Sequence, residues 1–336
     1  MLNKFLKDKT ILITGGTGSF GKAFVKYLIK KNIKLKKIII FSRDELKQFD
    51  MAQELNVNKN NNLRFFLGDV RDKERLHRAL EGVDFVIHAA ALKQVTAAEY
   101  NPIECIKTNV MGAQNIIESS IDMGVKKVVS LSTDKAVSPL NLYGATKLCS
   151  DKLFVSTNNM IGSKDITFSC VRYGNVIGSR GSVIPVFLDQ LKHKYFTVTD
   201  SRMTRFVLTL NEGVELVLWT LINSIGSEII IPKIPSVNIM DIANAIDPSC
   251  KIKKIGIRLG EKLHEDLITE TESPNTLELD DRYILLPSIQ KKYINHYKKL
   301  SKKVKILNNF SYSSNTNNHF LKTQQIRKIL KKENFI

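Results

Sequence analysis

The chain has 336 residues, 43% hydrophobic and 25% charged, with 51 lysines and arginines against 33 aspartates and glutamates, a formal net charge of +18. That is enough chain for one large domain or two modest ones, and the composition is that of a folded globular protein rather than a disordered or fibrous one. So basic a balance suits nucleic acid or an anionic membrane surface, but the lysines are spread along the chain and no zinc-finger, RNA-binding or helix-turn-helix pattern goes with them.

No nucleic-acid partner is therefore expected, and the basic surface has the simpler use of attracting an anionic substrate. Cys105, Cys149, Cys170 and Cys250 lie far apart with no CxxC pair. That spacing argues against a zinc ribbon or a disulfide scaffold and fits a reducing compartment. The first ten residues lack an apolar core of signal-peptide length, and the longest apolar stretches, such as 85–92, are too short to cross a bilayer. The expectation is a soluble cytoplasmic protein with no membrane partner and no metal.

Residues 10–14 (TILIT) form a short β-branched run, followed at once by Gly15-Gly16-Thr17-Gly18-Ser19-Phe20-Gly21. Residues 22–31 then read as an amphipathic helix with Phe24, Leu28 and Ile29 on one face. Strand, glycine loop and helix in that order mark a dinucleotide site. Gly15 permits the tight turn, Gly18 lets the backbone approach a pyrophosphate, and Gly21 lets helix and strand pack closely.

A second buried strand, 37–41, ends at Ser42, Arg43 and Asp44, with Lys47 one turn into the next helix. An acid here would hold the ribose hydroxyls of NAD, whereas an arginine accommodates the 2′-phosphate of NADP. Arg43 comes first and Lys47 adds charge, so NADP is expected. Strand 63–67 leads to Asp69 and Val70, where the carboxylate can accept from the adenine amino group. Strand 85–88 runs into Ala89, Ala90 and Ala91, small enough for a cofactor to pass, with Lys93 facing the same crevice. His88 reads as a satisfied strand-end histidine. A helix over 101–123 carries Asn109 in its middle, a half-buried amide that needs partners.

Strand 127–131 delivers Ser132, Thr133, Asp134 and Lys135 to the end of the sheet where open α/β folds place their ligands. Tyr143 and Lys147, four residues apart, share one helical face. After a sixth strand at 166–173, the alternation implies a doubly wound parallel sheet, Rossmann-like, over residues 1–177.

Beyond it the style changes to a smaller substrate lobe over 178–290. Gly178-Ser179-Arg180-Gly181-Ser182-Val183 opens a helix and makes an anion cradle. A strand at 196–199, a basic loop at 200–206, a helix at 212–223 with Trp219 in the core, and a strand with a charged turn at 254–265 follow. Arg180, Arg205 and Arg258 are candidates for bidentate diphosphate contacts, one of the three being structural. The Lys- and Asn-rich stretch 291–336 reads as a peripheral extension with a polar loop at 312–318 and a short last helix at 320–330.

GGTGSFG, HAAALK and the Tyr143/Lys147 pair resemble the extended short-chain dehydrogenase/reductase superfamily. STDKAVSPLNLYGATK, VRYGNVIGSRGSVIP and IGIRLGEKLHE resemble, within it, the inverting UDP-N-acetylglucosamine 4,6-dehydratases of pseudaminic-acid-type pathways. The likeness covers residues 5–290, and SYSSNTNNHFL extends it; Leu259 departs from it, standing where proline is expected.

The resemblance implies a bound, recycled NADP and a homo-oligomer. It implies that Tyr143 takes the C4 hydroxyl proton, its phenolate favoured by Lys147, while Thr133 holds the C4 oxygen. Lys135 would remove the C5 proton once burial and the cofactor lower its pKa, and Asp134 would shuttle that proton to the departing C6 hydroxyl. Asp-Lys in place of the Asp-Glu of retaining dehydratases would mark inversion at C5. Lys93, Asn175, Val176, Arg180, Gly181, Ser182, Val183, Thr199, Arg205, Arg258 and Glu261 would hold the UDP-hexosamine. A 4-epimerase, which needs Tyr143 and Lys147 but not Asp134 and Lys135, and a retaining dehydratase are the alternatives within the superfamily. A nucleotide-binding scaffold with a silent site is the alternative outside it.

Overall fold

A computed structural model describes residues 2–56, 60–179 and 181–336. Its frame is a ten-stranded sheet whose inner strands are continuous β-branched runs, as strands covered on both faces must be. Strands β1 (Thr10–Thr14), β2 (Lys37–Ser42), β3 (Leu63–Leu67), β4 (Phe85–His88), β5 (Lys127–Leu131) and β6 (Thr167–Val171) are parallel, in the order β6-β5-β4-β1-β2-β3. The order reverses between β1 and β4, which opens a crevice at their C-terminal ends.

The chain then leaves the sheet and returns to it. Strand β7 (Asn175–Val176) pairs with β9 (Thr204–Leu208), and β8 (Tyr195–Val198) lies in the smaller lobe. Strand β10 (Ile229–Pro232) rejoins the main sheet parallel to β6. Strands β11 (Ser236–Asn238), β12 (Lys251–Lys254) and β13 (Asp266–Ile268) belong to small sheets. Strands β14 (Thr276–Glu278), β15 (Arg282–Leu285) and β16 (Lys305–Ile306) complete the main sheet in antiparallel fashion. Strand β17 (Tyr312–Ser313) pairs with β13. A second core around Ile184, Phe187, Phe196, Val237, Ile242 and Leu330 fills the smaller lobe.

Several elements differ from the sequence reading. The first helix spans Ser19–Lys30, so it begins inside the glycine loop. The long helix expected over 101–123 is three pieces, Pro102–Ile106, a π turn at Lys107–Met111, and Gly112–Asp122. Asn109 sits in that π turn and is fully employed. Its amide donates to the Leu92 carbonyl and the Thr146 hydroxyl and accepts from the Leu92 N–H. Such a bulge is the usual cost of aiming one side chain inward from a helix. Residues 255–265 form no strand.

Nor is 291–336 peripheral. Tyr293 and Tyr297 are buried in the main core, β16 extends the main sheet, and the last helix, Thr323–Lys332, sets Ile326 and Leu330 into the second core. The Tyr297 hydroxyl donates to the buried Glu228 at 3.0 Å. Lysines dominate the composition there because they cover the outer faces of elements whose few apolar residues point inward. Among the described residues, no helix is long and apolar enough to cross a membrane.

Candidate active site

The crevice widens into a cavity of about 970 Å³ between the lobes, at the top of the range for ligand pockets. Gly15 has φ +62°, and a Cβ on it would lie 2.9 Å from the Ala90 backbone. A Cβ on Gly21 would lie 2.3 Å from the Gly16 carbonyl. These two glycines let β1, the loop and the first helix close together. No side chain caps that helix at Gly18, so its first N–H groups face the cavity, a ready site for phosphate. This loop fits a dinucleotide.

At the end of β2, Gln48 donates to the Ser42 hydroxyl at 3.1 Å. Asp44 caps the next helix, accepting from the Lys47 N–H at 2.9 Å, and also binds the Lys47 ammonium. Half-exposed Arg43 lies 3.5 Å from Asp69. Burial works against the charge of Asp69, but hydrogen bonds from Arg71 outweigh it and hold its pKa below the usual value. At the end of β4, the Thr14 hydroxyl lies 2.9 Å from His88 Nδ1 and accepts from the Ala89 and Ala90 N–H groups. Burial, helped by Lys147, depresses the His88 pKa to about 3, so this ring is neutral. It is the satisfied core histidine expected.

The reacting groups stand at the end of β5. Asp134–Ala136 is a single 3₁₀ turn. The Thr133 hydroxyl donates to Asp134 Oδ1 at 2.8 Å, and Lys135 Nζ donates to the same oxygen at 3.1 Å and to Asn175 Oδ1 at 3.2 Å. Asp134 is fully buried, and its Oδ2 has no hydrogen-bond partner. The helix Leu142–Thr157, capped by Asn141, presses Tyr143 against this turn. Gly144 permits the approach: a Cβ there would lie 2.2 Å from the Lys135 carbonyl oxygen.

Two electrostatic expectations change. Burial alone would depress the Lys135 pKa, but Asp134 and Glu265 outweigh it and raise it. Lys135 therefore rests as an ammonium. Burial pushes the Tyr143 phenol up to about 12, and the cation that chiefly opposes this is Lys135 rather than Lys147. Lys147 is buried lower, beside Asp151, which accepts from the Ser132 hydroxyl at 2.6 Å.

From the smaller lobe, Arg205 spends its guanidinium on carbonyls of Thr204, Lys262 and Leu263. It is the structural member of the arginine trio. Arg258 and Glu261 face the cavity from the loop after β12, with Lys93, Asn175, Val176, Gly181, Ser182, Val183 and Thr199 around it. Arg180 lies outside the described residues. All other residues singled out from the sequence line this one cavity, except Asp134 beneath it. Asp134 meets the cavity only through Thr133 and Lys135.

Sequence reasoning missed Glu265. Its side chain is 3% exposed, and its Oε1 stands 3.6 Å from Lys135 Nζ and 3.9 Å from Arg205 Nε. It belongs to the GEKLHE string, but no periodicity or spacing ties it to Lys135.

The profile of the polysaccharide biosynthesis protein family matches residues 11–287. A protein of Campylobacter jejuni named UDP-N-acetylglucosamine 4,6-dehydratase (inverting) is 52% identical over 338 residues, 98% of each chain. One of Rickettsia conorii named UDP-glucose 4-epimerase is 41% identical over 331 residues, 96% of this chain and 95% of that one. The X-ray structure of Pen from Bacillus thuringiensis superposes with a TM-score of 0.90 at 37% identity, covering 99% of this chain and 100% of that one.

Proposed function

The chain belongs to the polysaccharide biosynthesis protein family, and on that premise we propose that it is an inverting UDP-N-acetylglucosamine 4,6-dehydratase, an NADP-dependent lyase. It converts its substrate to a UDP-2-acetamido-2,6-dideoxy-4-hexulose with inversion at C5 and loss of water. The observation that carries this reading is the Lys135 ammonium, set between Asp134 and Glu265 on the cavity wall and electrostatically coupled to Tyr143.

The glycine loop would hold the pyrophosphate, Asp69 and Val70 the adenine, and Arg43 with Lys47 the 2′-phosphate that distinguishes NADP. When bound, the nicotinamide supplies the acceptor and later the donor of the hydride that leaves C4 and arrives at C6. Tyr143 takes the C4 hydroxyl proton, with Thr133 holding the oxygen. Because its phenol rests protonated, Tyr143 depends on cations, and Lys135 is the chief one nearby.

With a C4 ketone formed, the C5 proton is acidic and Lys135 removes it. Asp134 receives that proton from Lys135 across their 3.1 Å contact. Its way back to the sugar is the Thr133 hydroxyl, which lines the cavity and bonds to Asp134. The C6 hydroxyl then leaves as water. Inversion requires that C5 be reprotonated from the face opposite Lys135. Arg258, Glu261 and the 181–183 helix start hold the UDP. The free thiols of Cys105, Cys149, Cys170 and Cys250 and the family strings support a cytoplasmic homo-oligomer feeding a pseudaminic-acid-type pathway.

A UDP-sugar 4-epimerase is the second reading, favoured by the name of the Rickettsia relative. An epimerase uses Tyr143 and Lys147 and has no use for Asp134, Lys135 and Glu265. Lys135→Ala separates the two. A dehydratase so altered still oxidises C4 but loses elimination by at least about 10²-fold, whereas wild-type turnover of UDP-N-acetylglucosamine by Lys135→Ala would sink the dehydratase reading.

A further inference from the structure

Lys135 Nζ has three acceptors around it: Asp134 Oδ1 at 3.1 Å, Asn175 Oδ1 at 3.2 Å and Glu265 Oε1 at 3.6 Å. An ammonium carries three N–H donors, so these acceptors account for all of them and leave no lone pair. A lysine that takes a proton from carbon must first lose one. An amide oxygen such as that of Asn175 holds no proton near neutral pH. Asp134 has to stay anionic until Lys135 hands it the proton from C5. Glu265 is left.

Its carboxylate is aimed rather than loosely hung. The Glu265 N–H donates to the Ser314 hydroxyl at 2.9 Å, and the Ser314 N–H donates to the Glu265 carbonyl at 2.8 Å. Ser314 is fully buried, with its hydroxyl 2.7 Å from that of Thr204. The C-terminal SYSS segment thus braces Glu265 against Lys135 through the β13–β17 pairing. Glu265 Oε2 is buried without a hydrogen-bond partner. The charged groups facing it are Lys135 and Asp134 from the turn, Arg205 from β9, and Lys262 at 3.9 Å from its own loop.

We propose that Glu265 is the proton partner of Lys135, accepting one ammonium proton before C5 is attacked and returning it after water has left. The proposal rests on the dehydratase reading. In the step, an Nζ–H bond breaks and an Oε1–H bond forms, leaving a neutral amine and a carboxylic acid. The amine lone pair takes the C5 proton, and the C5–H electron pair becomes the C5–C6 double bond as the C6–O pair departs. The collected proton passes through Asp134 and Thr133 to the leaving oxygen, and Glu265 then restores Lys135 to an ammonium. Nothing is oxidised or reduced. Burial already raises the proton affinity of Glu265, and substrate filling the cavity favours the uncharged pair further by excluding water. Glu265 acts through Lys135, so it is a positioning residue.

The test follows deuterium entry at C5 in single turnovers of the NADP-loaded protein across the neutral pH range. Wild type should be flat in pH, because the ammonium proton goes to an internal acceptor. Glu265→Gln should be slower by about 10²-fold at neutral pH and climb tenfold per pH unit, because Lys135 must then deprotonate to solvent. It should still reduce its nicotinamide on addition of UDP-N-acetylglucosamine, which shows an intact fold and oxidation step. Glu265→Asp, with a longer gap, should be flat and intermediate in rate. A flat profile in Glu265→Gln overturns the proposal. If that variant fails to reduce its nicotinamide, a wild-type rate in Glu265→Asp overturns it instead. No C5 exchange in wild type overturns the dehydratase reading and this proposal with it.

Discussion

Gly144 offers a case in which two physical effects oppose each other with known sizes. It is the third residue of the helix Leu142–Thr157, and Gly→Ala inside a helix ordinarily gains about 1 kcal/mol. Here the added Cβ would lie 2.2 Å from the Lys135 carbonyl oxygen and 3.0 Å from Pro139 Cβ. A comfortable carbon–oxygen separation is roughly 3.3 Å, so helix and turn must part by about 1 Å. Both partners are backbone, and no side chain can swing away. Overpacking of this kind costs about 1–3 kcal/mol, which outweighs the helix gain and leaves a net loss of about 1–2 kcal/mol. The effect on chemistry is larger, because Tyr143 and Lys135 sit on the two parts that separate. A 1 Å misplacement of reacting groups costs on the order of 10²-fold in rate. Gly144→Ala should therefore lower kcat about 10²-fold with KM nearly unchanged, and lower the urea midpoint. A variant at least as stable as wild type with unchanged kcat would refute the reasoning, because it would show the turn and the helix are not locked together.

Two further outcomes follow from the cofactor end of the cavity. Arg43→Ala should weaken NADP binding by about 10–100-fold, the worth of one charge-assisted hydrogen bond, while NAD binding measured by titration calorimetry stays nearly constant; equal losses for both would remove Arg43 from the 2′-phosphate. His88 has a folded pKa depressed to about 3, so below the unfolded value near 6.5 the unfolded chain binds the extra proton and stability falls as pH falls, by about 1.4 kcal/mol per unit. His88→Gln should remove that slope from urea melts taken between pH 7 and 5, and an unchanged slope would contradict the assignment.

The parallel half of the fold was legible because buried parallel strands are written as unbroken apolar runs. Residues 10–14, 63–67, 85–88 and 127–131 read from sequence match β1, β3, β4 and β5. The glycine loop and the Tyr143/Lys147 pair were legible for a similar reason: each is a local spacing with a local geometric meaning. The charge state of Lys135 was not, since it depends on Glu265, which arrives from the other lobe. The same holds for Tyr143, whose main electrostatic partner is the Lys135 of the preceding turn rather than the lysine four residues on. The π turn around Asn109 could be anticipated as a need for partners but not as a shape. The integration of 291–336 was hidden by its lysines, since Tyr293, Tyr297, Ile326 and Leu330 are few and widely spaced.

The central claim is elimination across C5–C6 with inversion. The protein, loaded with NADP, should be incubated with UDP-N-acetylglucosamine in deuterated water and the products read by proton NMR. A 4-keto-6-deoxy sugar nucleotide carrying deuterium at C5 in the L-configuration is the predicted result. Recovery of UDP-N-acetylgalactosamine, the C4 epimer, or of a D-configured ketone, would contradict the account.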